Sequence, residues 1–299
     1  MLAIEASGLT KSFGGRPACR DVSFEVERGE VFGLLGPNGA GKTTTLRMLA
    51  GLYAPDAGTA QVAGFGIAPG RPGGPELRRR IGLLTEQPGF YDRLTARENL
   101  QYFADLQRSK RDRVQPLLER FALGEHADRP FAELSRGMKQ KLAIARALVH
   151  EPEVIFLDEP TVGLDPEATR EVRNVIAELS AEKATIVLCT HHLDEVERLC
   201  SRAAFIAQRV VAVHEIRRED LLRIDLAAPF APDGVRSMCK SLRTSGTSLF
   251  IEPLAEVHEI VAALVKAGAR IEAVAPHRDP LEEAWLQLLA DAREQGLTV

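Results

Sequence analysis

A glycine-rich loop with one lysine carries the clearest chemistry in this 299-residue sequence. Its letters, GPNGAGKT, fit the phosphate-binding pattern GxxxxGK[ST]. In that pattern, backbone N–H groups near the three glycines (Gly36, Gly39 and Gly41) surround a β-phosphate. Lys42 reaches the β- and γ-phosphates, and the Thr43 hydroxyl binds Mg²⁺. A glycine turn with a merely solvated lysine is the alternative, but the loop stands between a predicted strand and a predicted helix, which favours the phosphate site.

An acidic pair follows a later apolar run, VIFLDEP. Asp158 ends this predicted strand and would hold Mg²⁺ through water. Glu159 follows it directly and would orient or deprotonate an attacking water. A plain Asp-Glu-Pro turn at a strand end is the alternative, and the presence of the phosphate loop favours the catalytic interpretation.

Two further strand ends carry polar side chains. Gln87 follows the strand IGLLTE, where its amide would touch Mg²⁺ and the attacking water. His191 and His192 end the strand ATIVLCT. Side chains at the carboxyl edge of a parallel sheet face the ligand crevice, so His191 would bond the γ-phosphate. We interpret His192 as a surface residue.

A second phosphate-shaped turn opens the segment LSRGMKQKLAIARAL, far from the first loop. A polar Ser-Arg-Gly turn there begins an apolar-periodic helix, and the free N–H groups of a helix start suit an anion. The residues alone leave open whose phosphate this turn would hold.

The elements that must position these residues alternate between strand and helix, which predicts an α/β core with a parallel sheet. The first third reads as short, half-buried strands, and residues 94–150 read as a helical insertion. Past about Arg217 the order strand, helix, strand, helix indicates a small separate α+β domain. We therefore predict a main domain over 1–218 and an accessory domain over 219–299.

The composition and the apolar pattern disfavour a nucleic-acid-binding protein and a membrane-spanning one. A net charge of −4 disfavours nucleic acid as the main partner. No apolar run is long enough for a membrane helix, and the N-terminus does not resemble a signal peptide, so we expect a cytoplasmic protein. The four cysteines lack CxxC spacing and are expected to be free buried thiols.

Taken in order, the motifs resemble those of the ATP-binding cassette (ABC) ATPases over about Leu2 to Arg218. Phe13 resembles the aromatic residue that stacks on adenine, and GPNGAGKTT resembles the Walker A loop. Gln87 matches the Q-loop, LSRGMKQ the signature, and VIFLDEP the Walker B strand. GLDP, with Asp165, matches the D-loop, and His191 matches the switch histidine.

The resemblance implies a P-loop NTPase fold of ABC type: a mixed core sheet, an antiparallel β subdomain and a helical subdomain. It also implies ATP and Mg²⁺ as cofactors. It assigns catalytic roles to Glu159, His191, Gln87 and Lys42. It assigns the binding of Mg²⁺ to Thr43, Gln87 and Asp158. Nucleotide would contact a larger set: Phe13, Gly36, Asn38, Gly39, Ala40, Gly41, Lys42, Thr43, Thr44, Ser135, Gly137 and Asp165.

In this family two subunits pack head to tail and sandwich two ATP molecules. Ser135 and Gly137 would therefore cap the γ-phosphate held by a second copy of the chain. The signature departs from the commonest form, LSGGQ, because Arg136 replaces a glycine and Met138 replaces the glutamine. Similar substitutions occur in the exporter branch of the family.

The tail, RDPLEEAWLQLL, resembles the ending of subunits that energise separate permeases in drug, antibiotic or polysaccharide export. The expected partners are then transmembrane permease subunits and a second copy of the chain, at the cytoplasmic face of the membrane. An importer subunit, a soluble ABC ATPase acting on ribosomes or DNA, and a nucleotide-switched regulatory module are the alternatives. The accessory domain would be a packing or dimer-stabilising domain, or else a sensor.

Overall fold

Two compact units make up the structure, a computed structural model that describes residues 1–85, 89–216 and 221–277 together with Trp285 and Ala290. One unit contains Met1–Ile216 and Glu282–Val299, and the other contains Arg217–Leu281. Within the described residues, no helix is both long and apolar enough to cross a membrane.

Strands and helices alternate along the first unit. Its strands are β1 (Leu2–Phe13), β2 (Arg16–Glu27), β3 (Val31–Leu35), β4 (Ala57–Val62), β5 (Phe65–Ile67), β6 (Ile81–Leu84), β7 (Val154–Asp158), β8 (Thr185–Thr190), β9 (Arg202–Ala207) and β10 (Arg209–Glu215). Its helices are α1 (Lys42–Leu49), α2 (Pro75–Arg80), α3 (Ala96–Leu106), α4 (Val114–Arg120), α5 (Arg136–Leu148), α6 (Pro166–Ala181) and α7 (Leu193–Leu199).

The core sheet has the strand order β10-β9-β3-β8-β7-β6. The pairs β9/β3, β3/β8, β8/β7 and β7/β6 are parallel, whereas β10/β9 is antiparallel. Every residue of β3, β7 and β8 is buried, as expected for strands covered on both faces. Parallel pairing places the carboxyl ends of β3, β7 and β8 side by side, and the predicted chemistry follows those three strands.

A second, antiparallel sheet has the order β2-β1-β4-β5. Its buried residues share one apolar cluster with those of β3, α1 and β7, including Ile4, Leu9, Phe32 and Phe156. The sheet therefore packs as part of the same core. This agrees with the predicted mixed core sheet and antiparallel β subdomain.

The predicted helical insertion contains α3, α4 and α5 with short 3₁₀ turns between them. Helix α3 begins in a capping box, in which Thr95 and Glu98 each bond the other's backbone N–H. Ser135 caps the start of helix α5, and its Oγ accepts the Met138 N–H at 3.2 Å. The second phosphate-shaped turn is thus a capped helix start.

The hairpin between β9 and β10 turns at Gln208, without the glycine that is usual at such a turn. Gln208 takes a left-handed conformation with φ of 61°. Its backbone N–H donates to Ala40 O at 2.9 Å, and its carbonyl accepts from Arg20 N at 2.6 Å. These bonds hold the unusual conformation and tie the hairpin to the phosphate loop.

The second unit is a four-stranded antiparallel sheet with one long helix. Its elements are β11 (Leu221–Leu226), β12 (Cys239–Ser245), β13 (Ser248–Pro253), α8 (Val257–Lys266) and β14 (Ile271–His277), with sheet order β12-β13-β11-β14. Its own apolar core includes Ile224, Ile251, Ile260 and Leu264. The sequence indicated β13, α8 and β14 but missed β11 and β12.

The predicted accessory domain over 219–299 stays a prediction, and the described residue Trp285 belongs to the first unit. There the Trp285 ring stacks on Phe205 with 5.2 Å between centroids. Phe205 is fully buried, so this stacking covers an apolar ring of the core sheet. All four cysteines are free and buried, as predicted.

Candidate active site

The phosphate loop joins the buried strand β3 to helix α1 and can be built only with glycine at two positions. A Cβ on Gly36 would lie 2.3 Å from Ile206 O. A Cβ on Gly41 would lie 2.6 Å from Ala18 O, and Gly41 also has φ of 96°. The loop therefore packs directly against neighbouring backbone, and this packing determines the conformation of the loop.

Lys42 is the first residue of α1, and its side chain is almost fully buried. Its Nζ donates to Gly36 O at 2.6 Å and to Pro37 O at 3.2 Å. It also lies 3.4 Å from Glu159 Oε1. The ammonium group is thus held inside the concave side of the loop, as a phosphate-binding lysine requires.

Thr43 and Asp158 bring two oxygen atoms together from distant parts of the chain. Thr43 Oγ1 donates to Asp158 Oδ1 at 3.0 Å. Asp158 ends β7 and is 3% exposed. Burial raises the pKa of the Asp158 carboxyl, and the charge of Glu159 acts in the same direction, while the bond from Thr43 opposes them. A cation beside this carboxylate would relieve the cost of burying its charge.

Glu159 occupies a strained backbone conformation. Its φ is 49°, in the left-handed region that non-glycine residues seldom adopt. Its N–H donates to Cys189 O at 2.9 Å, which holds it beside the end of β8. His191 follows that strand, and its Nδ1 lies 3.0 Å from both carboxylate oxygens of Glu159. Glu159 therefore bridges Lys42 and His191.

These groups border a cavity of about 510 Å³, within the size range of small-molecule sites. Its lining includes the predicted Asn38, Gly39, Ala40, Gly41, Lys42, Thr43, Thr44, Glu159 and His191. Ala18, Pro37 and Val162 also line it and were not predicted. The cavity combines backbone N–H donors, a lysine, a carboxylate and an imidazole, a set that can bind and cleave a phosphoanhydride.

Other predicted residues lie outside this lining. Phe13 is 47% exposed, and its ring meets Tyr53 edge-on at 5.5 Å. Ser135 and Gly137 lie at the start of α5. The Asp165 side chain caps α6 by accepting the Ala168 N–H at 2.8 Å. Gln87 falls outside the described residues.

A buried polar network behind the site was missed by the sequence analysis. Glu195 is 1% exposed and accepts hydrogen bonds from Thr161 Oγ1 and, at 2.8 Å, from Thr190 Oγ1. Arg173 Nη2 lies 3.4 Å from the same carboxylate. The available signal is the spacing of Glu195 to Leu199, because a residue four positions before a buried leucine lies on the same helix face.

Comparison with known proteins supports one family. The model of a family described as "ABC transporter" matches residues 19–162. The Nod factor export ATP-binding protein I of Paraburkholderia xenovorans is 46% identical over 210 residues, which cover 69% of this chain and 68% of that protein. A fluoroquinolones export ATP-binding protein of Mycobacterium tuberculosis is 41% identical over 213 residues, 70% of each chain.

A solved structure shares the fold of the first unit. It is a dimeric, post-hydrolysis state of the ATP-binding cassette MJ0796 bound to ADP and Pi. Its TM-score is 0.64 at 26% identity, and the match covers 72% of this chain and 99% of that one.

Proposed function

This chain belongs to the ABC transporter family as an ATP-hydrolysing subunit, and we propose that it energises export through a separate membrane permease. The observation that carries the chemistry is the meeting of Lys42, Thr43, Asp158, Glu159 and His191 at the carboxyl edge of one sheet. Export is supported by the relatives whose names describe it, with Nod factor and fluoroquinolone exporters among them. The transported substrate is selected by the permease.

Each side chain has a role that fits its position. Lys42 would exchange its contacts with Gly36 O and Pro37 O for oxygens of the β- and γ-phosphates. Glu159 would accept the proton of the attacking water, and His191 would contact the γ-phosphate. The strained backbone of Glu159 directs its carboxylate between Lys42 and His191.

Mg²⁺ fits the oxygen pair formed by Thr43 and Asp158. The ion prefers oxygen ligands and is commonly held by one or two carboxylates together with substrate phosphates. The buried Asp158 carboxylate, whose charge is disfavoured by burial, supplies such a ligand. When bound, the ion would neutralise charge on the β- and γ-phosphates, and Gln87 would add a further ligand.

The signature turn would serve the ATP of a second copy. Ser135 and Gly137 do not line the cavity beside Lys42, yet they form a capped helix start of the kind that binds anions. In a head-to-tail dimer this turn caps the partner's γ-phosphate, so each ATP favours the closed dimer. The dimeric MJ0796 cassette, bound to ADP and Pi, supports the formation of a dimer.

An aromatic patch marks the surface proposed for the permease. Tyr91 and Tyr102 are 49% and 38% exposed and meet edge-on at 5.0 Å. Beside them Arg146 lies over the rings of Phe90 and Phe103 at 5.2 Å and 4.9 Å. Short cytoplasmic helices of a permease would dock here, and the chain would thereby be held at the membrane.

The first test replaces Glu159 by glutamine and asks whether hydrolysis and binding separate. We expect ATP binding to persist, hydrolysis to fall by 10² or more, and an ATP-dependent dimer to accumulate in light scattering. Glu178→Gln, a matched change at an exposed position of α6, should hydrolyse ATP like the wild type. A wild-type rate for Glu159→Gln would refute the assignment of the base.

The export role is tested in native cells. The tagged chain, extracted in mild detergent, should carry a polytopic membrane protein that lacks its own cassette. Vesicles containing that pair should then transport substrate in an ATP-dependent manner. Ribosomal or DNA-bound partners without a membrane protein would refute the transporter role and leave the ATPase chemistry intact.

A further inference from the structure

Arg136 places a guanidinium group in the signature turn where the commonest signature has glycine. It is exposed and follows the capping residue Ser135 directly. Its Nη2 donates to Val162 O at 3.2 Å. A Cβ on Gly163 would lie 2.1 Å from that nitrogen, so the guanidinium rests on the backbone of Gly163. The contact needs glycine at 163 as well as arginine at 136.

A second side chain of the same helix face reinforces this contact. Gln140 lies one turn after Arg136, and its Nε2 donates to Pro160 O at 2.7 Å. The two bonds hold the segment 160–163 from one side, immediately after Glu159. On the other side, Thr161 donates to the buried Glu195.

The held segment also borders the phosphate cavity of its own subunit. Val162, the residue whose carbonyl Arg136 binds, lines that cavity together with Lys42 and Glu159. A short physical connection therefore runs from the signature turn, through Arg136 and Val162, to the subunit's own catalytic carboxylate.

We propose that Arg136 is a positioning residue that couples the two ATP sites of the dimer. The inference rests on the proposed function, in which the signature turn contacts the partner's ATP and the cavity holds the subunit's own. Arrival of the partner's ATP at Ser135 then shifts Arg136, and with it the segment that follows Glu159. A glycine at 136 has no side chain with which to make this connection.

The coupling predicts a specific change in ATPase kinetics. Arg136→Ala and Arg136→Gly should lower the Hill coefficient for ATP towards 1, because the coupling between the two binding sites, typically about 5- to 150-fold in affinity, is lost. The value of kcat should fall as well. KM should change less than about twofold, because the phosphate contacts of Lys42 are intact. Arg136→Lys should be intermediate, since lysine can donate to Val162 O but cannot lay a planar group on Gly163.

Controls separate coupling from folding. Arg120→Ala removes an exposed arginine whose partner is Glu182, and it should leave kcat and the Hill coefficient unchanged. The melting temperature of Arg136→Ala should stay within about 2 °C of the wild type, because an exposed contact contributes little to stability. Gly163→Ala should reproduce the loss of cooperativity, and its effect should shrink when Arg136 is already alanine.

Three results would overturn the proposal, and they are distinguishable. If Arg136→Ala has the Hill coefficient and the kcat of the wild type, the contact of Arg136 with Val162 does not couple the two ATP sites. A raised KM with unchanged kcat would make Arg136 a direct phosphate ligand. If Glu159→Gln forms no ATP-dependent dimer, the proposed two-site arrangement itself fails. If that dimer forms and only Arg136 has no effect, the inference alone is wrong.

Discussion

Replacing Glu195 by alanine should weaken both the fold and the catalysis of the first unit. The carboxylate is 1% exposed and accepts hydrogen bonds from Thr161 and Thr190. Thr161 lies two residues after Glu159, and Thr190 comes directly before His191. The buried Glu195 carboxylate therefore holds residues close in sequence to both Glu159 and His191.

The size of the effect follows from what the substitution leaves unpaired. Two buried hydroxyls lose their acceptor, and each such loss costs about 1–3 kcal/mol. Arg173 keeps its ion pair with Asp194 at 2.8 Å, so its charge is not left alone. We therefore expect a loss of about 3–5 kcal/mol in unfolding free energy, as for other broken buried pairs. For a unit of this size, that corresponds to a fall of about 6–20 °C in melting temperature.

Replacing each of the two threonines separately should show how much each hydrogen bond to Glu195 contributes to the free energy of unfolding. Thr190→Val removes a bond to Glu195 and the acceptor of the His192 N–H at 3.1 Å. It should cost about 2–4 kcal/mol. Thr161→Val removes one bond to the carboxylate, at about 1.5–3 kcal/mol. The two effects should not add, because the groups share one carboxylate.

The assay follows urea unfolding and thermal unfolding by the fluorescence of the single tryptophan, Trp285, which stacks on Phe205 in the first unit. ATP turnover is measured well below the melting temperature, where we expect kcat to fall about tenfold because small misplacements of catalytic groups are costly. ATP affinity should persist, since Lys42 is untouched. A melting temperature within about 2 °C of the wild type, or a wild-type kcat in the folded variant, would refute the reasoning.

Three further predictions concern other contacts. Phe13→Ala should weaken ATP binding about 5- to 150-fold in a titration, the range expected for stacking of a base on an aromatic ring, and Phe13→Tyr should restore the affinity. An unchanged Kd in Phe13→Ala would show that Phe13 does not contact the nucleotide. Gly137→Ala would place a Cβ 2.8 Å from Ala168 Cβ and should cost about 1–3 kcal/mol in thermal unfolding; unchanged stability would contradict the tight packing. Burial lowers the pKa of the His150 imidazole, whose Nε2 lies 2.8 Å from Ile81 O. The unfolded chain therefore takes up a proton on this residue at a higher pH than the folded chain does, and the free energy of unfolding falls as the pH drops below about 6.5. His150→Gln should reduce the loss between pH 7.5 and 5.5 by up to about 1.4 kcal/mol, and an identical loss in both proteins would contradict the buried neutral ring.

The sequence signals on which the proposed site rests are mostly local. Glycine spacing, a following lysine and a buried strand before the loop identify a phosphate-binding turn within a few residues. The rule that ligands meet the carboxyl edge of a parallel sheet further implied that Asp158 and His191 lie near Lys42. It could not give the sheet order that places β8 between β3 and β7, because that order depends on long-range packing.

Other features had weak or misleading signals. Strand β12 was missed because it lies at the edge of its sheet and most of its residues are exposed, so no apolar alternation marks it. Gln208 takes a left-handed conformation at the turn between β9 and β10, and hydrogen bonds to Ala40 and Arg20 hold it there. Those partners are distant in sequence and could not be foreseen from the turn itself.

The segment after Glu159 shows why residue types alone do not determine a catalytic site. A left-handed conformation at a glutamate costs about 1–3 kcal/mol and persists only where neighbours impose it. Here the Glu159 N–H donates to Cys189 O, while Glu195 accepts from Thr161 and Arg136 donates to Val162 O, two and three residues further along the chain. Relaxing that backbone would turn the carboxylate away from Lys42 and His191. The motif letters thus identify Glu159 as the proposed base, whereas contacts from three other elements hold the backbone that directs its carboxylate.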